Sequence, residues 1–85
     1  MVQKDINMKP GTWLQAKSAA EFIQEASKFK SSIWVEKDSK KANAKSLLGL
    51  LALEISPGSD ICLIAEGEDE ETAVSALGDF MQQSV

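Results

Sequence analysis

Apolar and polar positions alternate along residues 2–8, with Val2, Lys4, Ile6 and Met8 on one side and Gln3, Asp5 and Asn7 on the other. That period of two predicts a strand, closed by Pro10-Gly11. The period then changes. Ala16, Ala19, Ala20, Ile23, Ala26 and Phe29 recur at helical spacing, with Phe22 at the edge of the stripe. Glu21, Glu25 and Lys28 fall on the other side, so residues 16–29 read as an amphipathic helix. Ile33-Trp34-Val35-Glu36 is β-branched and aromatic and predicts a second strand. Lys37-Asp38-Ser39-Lys40 reads as a hairpin turn returning through Lys41-Ala42-Asn43. Ser46 opens a short helix over residues 47–53, and Ser56-Pro57-Gly58-Ser59 forms a turn. Residues 60–66 predict a strand with Ile61, Leu63 and Ala65 on one side and Cys62 and Ile64 on the other. Asp69 is placed to cap a last helix, whose buried stripe is Ala73, Leu77, Phe80 and Met81.

The predicted order is β-α-β-β-α-β-α, an α+β sandwich of two layers in one domain over residues 1–85. Each strand has one apolar face, so the three helices cover one side of the sheet and water the other. Gln3, Asp5, Trp34, Glu36, Cys62, Ile64 and Glu66 are expected on the wet side. There Trp34 and Ile64 form an apolar pair suited to self-association.

Composition narrows the chemistry. At 44% hydrophobic and 26% charged, the chain is neither disordered nor collagen-like. The lone Cys62 cannot close an intramolecular disulfide. No apolar run approaches the ~18 residues of a membrane span, and Met1-Val2-Gln3-Lys4-Asp5 leads into no apolar signal core. A cytoplasmic protein without membrane contact is expected. The chain has no histidine, hence no imidazole base, no Ser-His or Cys-His pair and no His-bound metal. One cysteine excludes a thiolate zinc site, and the acids are not spaced as in an EF-hand loop. No GxGxxG or P-loop pattern occurs. No metal, cofactor or catalytic residue is expected.

The net charge of −4 is unevenly spread. Residues 1–45 hold all nine lysines against five acids, whereas residues 46–85 hold eight acids and no base. There is no arginine, the residue nucleic-acid readers favour, and the isoelectric point is near 4.7, so direct nucleic-acid binding is not expected. The densest basic cluster is Lys37, Lys40, Lys41 and Lys45; the densest acidic one is Glu66, Glu68, Asp69, Glu70 and Glu71. The second suits the entry to a helix, where carboxylates meet the positive end of the dipole.

Asn43-Ala44-Lys45-Ser46-Leu47-Leu48-Gly49-Leu50-Leu51 resembles the regulatory-serine signature of the HPr family, the phosphocarriers of the bacterial sugar phosphotransferase system. Gln24-Glu25-Ala26-Ser27 and Ile64-Ala65-Glu66-Gly67-Glu68-Asp69-Glu70 resemble the same family, and the likeness covers essentially the whole chain. It implies an open-faced sandwich with an antiparallel sheet in the order 1-4-2-3. The family's other signature, Gly-hydrophobic-His-Ala-Arg-Pro-Ala, is altered to Trp13-Leu14-Gln15-Ala16-Lys17-Ser18-Ala19. Gln15 stands at the phosphohistidine position and Lys17 at the arginine. A glutamine there marks the Crh branch of the family, although Lys17 and Ser18 depart from the Arg-Pro expected even in that branch. A carboxamide is not a nucleophile able to take up and pass on a phosphoryl group.

Ser46 has a plain structural role as the cap of the helix that follows. A phosphate at the same place would add about −1.5 to −2 charge beside free N–H groups and the positive dipole end. Lys45 and Lys40 or Lys41 are near in sequence to screen it. Five of residues 47–53 are leucine. Leu50 and Leu53 suit the core, which leaves Leu47, Leu48 and Leu51 on a second face. Gly49, a poor helix former, suggests close approach of another backbone. The resemblance implies that Ser46 is phosphorylated by HPr kinase/phosphorylase. It also implies that this second face, with Gln15 and Lys17 beside it, docks the kinase and a catabolite control protein A-type repressor. The alternative from a different class is a structural homologue that takes no phosphate and acts as a homodimer, by exchanging the first strand or by pairing the Trp34 face.

Overall fold

The computed structural model describes residues 1–7, 16–53 and 60–82, with the backbone alone at 16–18 and 82. The elements follow the predicted order: β1 Val2–Asn7, α1 Ala16–Ala26, β2 Ser32–Lys37, β3 Lys40–Asn43, α2 Leu47–Ala52, β4 Asp60–Glu66 and α3 Glu70–Gln82. Met8, Pro10-Gly11 and the turn at Ser56-Pro57-Gly58-Ser59 lie outside the described residues.

The strands form one antiparallel sheet in the order β1-β4-β2-β3. Its register aligns two rows on the open face: Gln3, Ile64, Trp34 and Asn43, and Asp5, Cys62, Glu36 and Lys41. Ile6, Ile33, Val35, Ile61, Leu63 and Ala65 point the other way into the core. α3 lies over β1 and β4, and α1 packs on α2 and α3. The β2–β3 hairpin turns through Asp38 and Ser39, whose φ values of 50° and 66° are those of a type I′ turn. That turn matches the right-handed twist of the flanking strands.

Four expectations about the elements and their packing are corrected. The α-helical ladder of α1 stops at Ala26 rather than Phe29, because Lys28 and Phe29 donate to Glu25 and Ala26, three residues back. Phe22 is fully buried at the centre of the helix face and Ala20 is exposed. The buried stripe thus follows the largest side chain through Ala19, Phe22 and Ala26; Phe22 meets Phe80 with ring centroids 6.1 Å apart, a tilted pair. On α3, Val74 joins Ala73, Leu77 and Met81 in the core, while Phe80 is only half-buried. Ile64 does face away from the helices, yet it is only 4% exposed. Gln3 on one neighbouring strand and Trp34 on the other flank it in register, and Trp34 is itself half-buried.

The entry to α3 is held by a clasp that local sequence does not announce. Asp69 sits at the position before the helix, and its carbonyl accepts from Ala73 N–H. Its carboxylate does not cap the helix as expected. It accepts instead from the Lys30 and Ser31 N–H groups, at 2.9 and 3.0 Å, and from the Ser31 hydroxyl. Glu70 reaches back to accept from Gly67 N–H at 3.0 Å. Gly67 has φ +151°, and a Cβ there would stand 2.8 Å from Ser31 Cα and 2.7 Å from its Oγ. Gly67→Ala should therefore cost at least about 1–3 kcal/mol through backbone strain and collision with the clasp. Urea melts check this, and a change under about 0.5 kcal/mol, the range of ordinary surface substitutions, would contradict it.

The clasp also predicts an acid limb. Hydrogen bonds from the Ser31 hydroxyl and the Lys30 amide hold Asp69 below the usual carboxylate range, and the Gly67 amide does the same for Glu70. As pH falls, the unfolded chain protonates these groups before the folded one does. Their stabilisation is complete above the ordinary range near pH ~4 and drains away as pH falls towards the folded values. Asp69→Asn should flatten the fall in stability across that window; an unchanged slope would show that other carboxylates govern it.

Candidate phosphorylation and docking site

Ser46 caps α2 as its position predicts. Its backbone is extended at φ −116° and ψ 113°, and its Oγ accepts from Gly49 N–H at 3.2 Å. The preceding turn is set by Asn43, whose carbonyl accepts from Ser46 N–H and whose Oδ1 accepts from Lys45 N–H. Ala44, fully buried, anchors that turn on the core and bonds through its N–H to the Ile33 carbonyl. Ser46 is thereby presented at the surface of a fixed turn.

The leucines of α2 divide cleanly. Leu50 is 2% and Leu53 7% exposed, whereas Leu47, Leu48 and Leu51 are 40%, 80% and 43% exposed. An apolar side of a six-residue helix is left to solvent next to the capping serine. Gly49 is not approached by another backbone, contrary to expectation. A Cβ there would meet the Ala42 Cβ and the Ser46 Oγ, both at 3.4 Å, an ordinary side-chain contact.

The lysines around Ser46 are differently engaged than their sequence proximity suggests. Lys45 turns its ammonium to the carbonyls of Phe29 and Ser31, at 2.9 and 3.1 Å. Lys41 lies over the Trp34 ring, 4.7 Å from its centroid. Both cations are engaged within the fold. Gln15 lies outside the described residues, and of Lys17 only the helical backbone is described. Sequence reasoning missed the Lys45 clamp, since a carbonyl acceptor carries no sequence signature.

Cys62 faces the open side in the row with Asp5 and Glu36. Burial, a hydrogen bond to Asp5 and the negative charges of Asp5 and Glu36 push its thiol up from the ordinary value. It stays protonated and is a poor nucleophile at neutral pH. No helix among the described residues is long and apolar enough to cross a membrane.

A sheet in the order β1-β4-β2-β3 under three helices, with a capped serine opening a leucine-rich second helix, defines an HPr-type sandwich. The family model for the phosphotransferase-system HPr component phosphorylation site matches residues 2–83. The chain belongs to the HPr family. The HPr-like protein Crh of Bacillus subtilis is 47% identical over 85 residues, covering all of both chains. Its crystal structure, described as a swapped dimer, superposes with a TM-score of 0.80 over all of this chain and 98% of that one. Crh of Halalkalibacterium halodurans is 52% identical over 83 residues, or 98% of this chain and 99% of its own. The crystal structure of HPr-C-His from Thermoanaerobacter tengcongensis gives a TM-score of 0.89 at 52% identity, covering 95% of this chain and 91% of that one.

Proposed function

We propose that this HPr-family protein is a non-enzymatic regulator of the Crh type, phosphorylated on Ser46 by HPr kinase/phosphorylase. The phosphorylated form acts as corepressor of a catabolite control protein A-type repressor in carbon catabolite repression, within the cytoplasm. The observation that carries the reading is the capped Ser46 beside the exposed Leu47, Leu48 and Leu51. A phosphate there meets free amides at the start of α2. Lys45 and Lys41 are engaged elsewhere, so the new charge is offered outward to basic groups of a partner. The exposed leucines fill an apolar groove of the partner.

With Gln15 at the acceptor position and no histidine in the chain, phosphocarrier activity is absent. Incubation with enzyme I and phosphoenolpyruvate should leave no transferable phosphate, and finding one would refute this part of the proposal. Incubation with the serine kinase and ATP should add the mass of one phosphoryl group, located at Ser46. No adduct favours the second reading, a self-associating structural homologue. That reading draws on the swapped dimer described for Crh of Bacillus subtilis and on the half-buried Trp34 of the open sheet face.

A further inference from the structure

A small concavity of about 150 Å³ opens where the start of β2 meets the end of β3, lined by Lys30, Ser32, Trp34, Asn43 and Lys45 together with Ser31 and Ile33. Its lining contains no carboxylate, although the whole chain carries a net charge of −4. The larger concavity, about 590 Å³ at the other end of the open face, is lined by Asp5, Glu36, Asp38 and Asp60.

The smaller lining is rich in donors. Lys45 spends two of its three N–H bonds on the Phe29 and Ser31 carbonyls, which fixes its ammonium and leaves one donor over. The Asn43 amide is oriented by its Oδ1, which accepts from Lys45 N–H; its Nδ2 then has two donors to offer. Among the described residues, the Lys30 ammonium, the Ser32 hydroxyl, the Trp34 indole N–H and the Asn43 Nδ2 have no hydrogen-bond partner. Lys41, over the Trp34 ring, adds a third positive charge nearby. The space is large enough to admit a small oxyanion.

We propose that this concavity is a binding site for a small phosphate-bearing solute, held by Lys30 and Lys45 and oriented by Ser32, Asn43 and the Trp34 indole. The Asp69 carboxylate is seated against the Lys30–Ser31 turn, but three donors of that turn already engage it. Its residual charge weakens the site. The site does not depend on phosphorylation of Ser46 and forms in the unmodified chain.

The test is an amide NMR titration of the whole unphosphorylated chain with inorganic phosphate, against chloride at matched ionic strength. Methyl phosphate in a parallel arm distinguishes a monoester from the free oxyanion. Saturable shifts are expected at the Lys30, Ser32, Asn43 and Lys45 amides and at the Trp34 indole N–H. Lys45→Met should weaken binding about tenfold, as expected for one charge-assisted hydrogen bond. Among the described residues the Lys30 ammonium has no hydrogen-bond or ion-pair partner, so Lys30→Met should weaken binding without disturbing the fold. Lys28→Met, outside the lining, should leave it unchanged. Shifts that rise linearly without saturating, that centre elsewhere, or that persist unaltered in Lys30→Met would overturn the proposal.

Discussion

Leu50→Ala should cost about 2–5 kcal/mol of stability, while Leu48→Ala should change it by less than about 0.5 kcal/mol. The two leucines are two residues apart on the same short helix, so helix propensity and capping affect both alike. What differs is burial: Leu50 is 2% exposed and packs in the core cluster, whereas Leu48 is 80% exposed. Truncating Leu50 forfeits its transfer energy and leaves a cavity beneath α2; truncating Leu48 removes atoms already in water. Leu51, at 43%, should resemble Leu48, and Leu53, at 7%, should resemble Leu50. Affinity for the kinase should run in the reverse order, falling for Leu47 and Leu48 variants. Each leucine buried in a partner contributes roughly 1.5–3 kcal/mol, so a single truncation there is measurable. Urea melts run beside binding titrations decide the matter. If Leu48→Ala proves as damaging to stability as Leu50→Ala, the exposed face is part of the core and cannot be a docking surface.

Ser46→Ala should abolish labelling by the serine kinase and lose about 0.5–2 kcal/mol of stability. The stability loss follows from the cap, since Gly49 N–H would lose its acceptor at 3.2 Å. A domain with about 5–15 kcal/mol in reserve survives that loss, and its circular dichroism should be unchanged. The loss of labelling follows from removing the hydroxyl itself. The capping oxygen is also the proposed phosphate acceptor, so the variant separates the two roles only when both quantities are measured. Undiminished labelling of Ser46→Ala would move the site elsewhere, with Ser39 in the hairpin turn and Ser56, outside the described residues, as the other candidates.

Much of the fold was legible from periodicity. The strand at 60–66 and the turn at 37–40 coincide with the observed elements, because alternation and turn chemistry are local properties. The leucine division on α2 was equally legible, since a short helix on a small core has room for one buried stripe. Burial decided by partners was not. Phe22 looked marginal because the alanines around it suggested a different helix face, and only α3, bringing Phe80, shows which face is covered. Ile64 was correctly placed on the open face, but its shielding depends on the registers of β1 and β2 against β4. The strand order itself came from the family resemblance, as no local pattern distinguishes 1-4-2-3 from other antiparallel orders.

The same limit applies at the site. Ser46 could be read as a cap from the helix that follows it. Lys45 could not be read as a clamp, because its acceptors are backbone carbonyls of Phe29 and Ser31. Asp69 looked like a helix cap because capping is the local use of an aspartate there. Its actual donors lie 38 and 39 residues earlier in the chain.

On the function proposed, phosphate on Ser46 and the leucine face together form a docking surface for the repressor. The most direct measurement is a titration of a catabolite control protein A-type repressor with Ser46-phosphorylated and unmodified protein, followed by calorimetry. Phosphorylation should tighten binding by about tenfold or more, as one or two charge-assisted hydrogen bonds would supply. Leu48→Ala in the phosphorylated protein should weaken it again. Equal affinity for the two forms, or no binding by either, would contradict the claim.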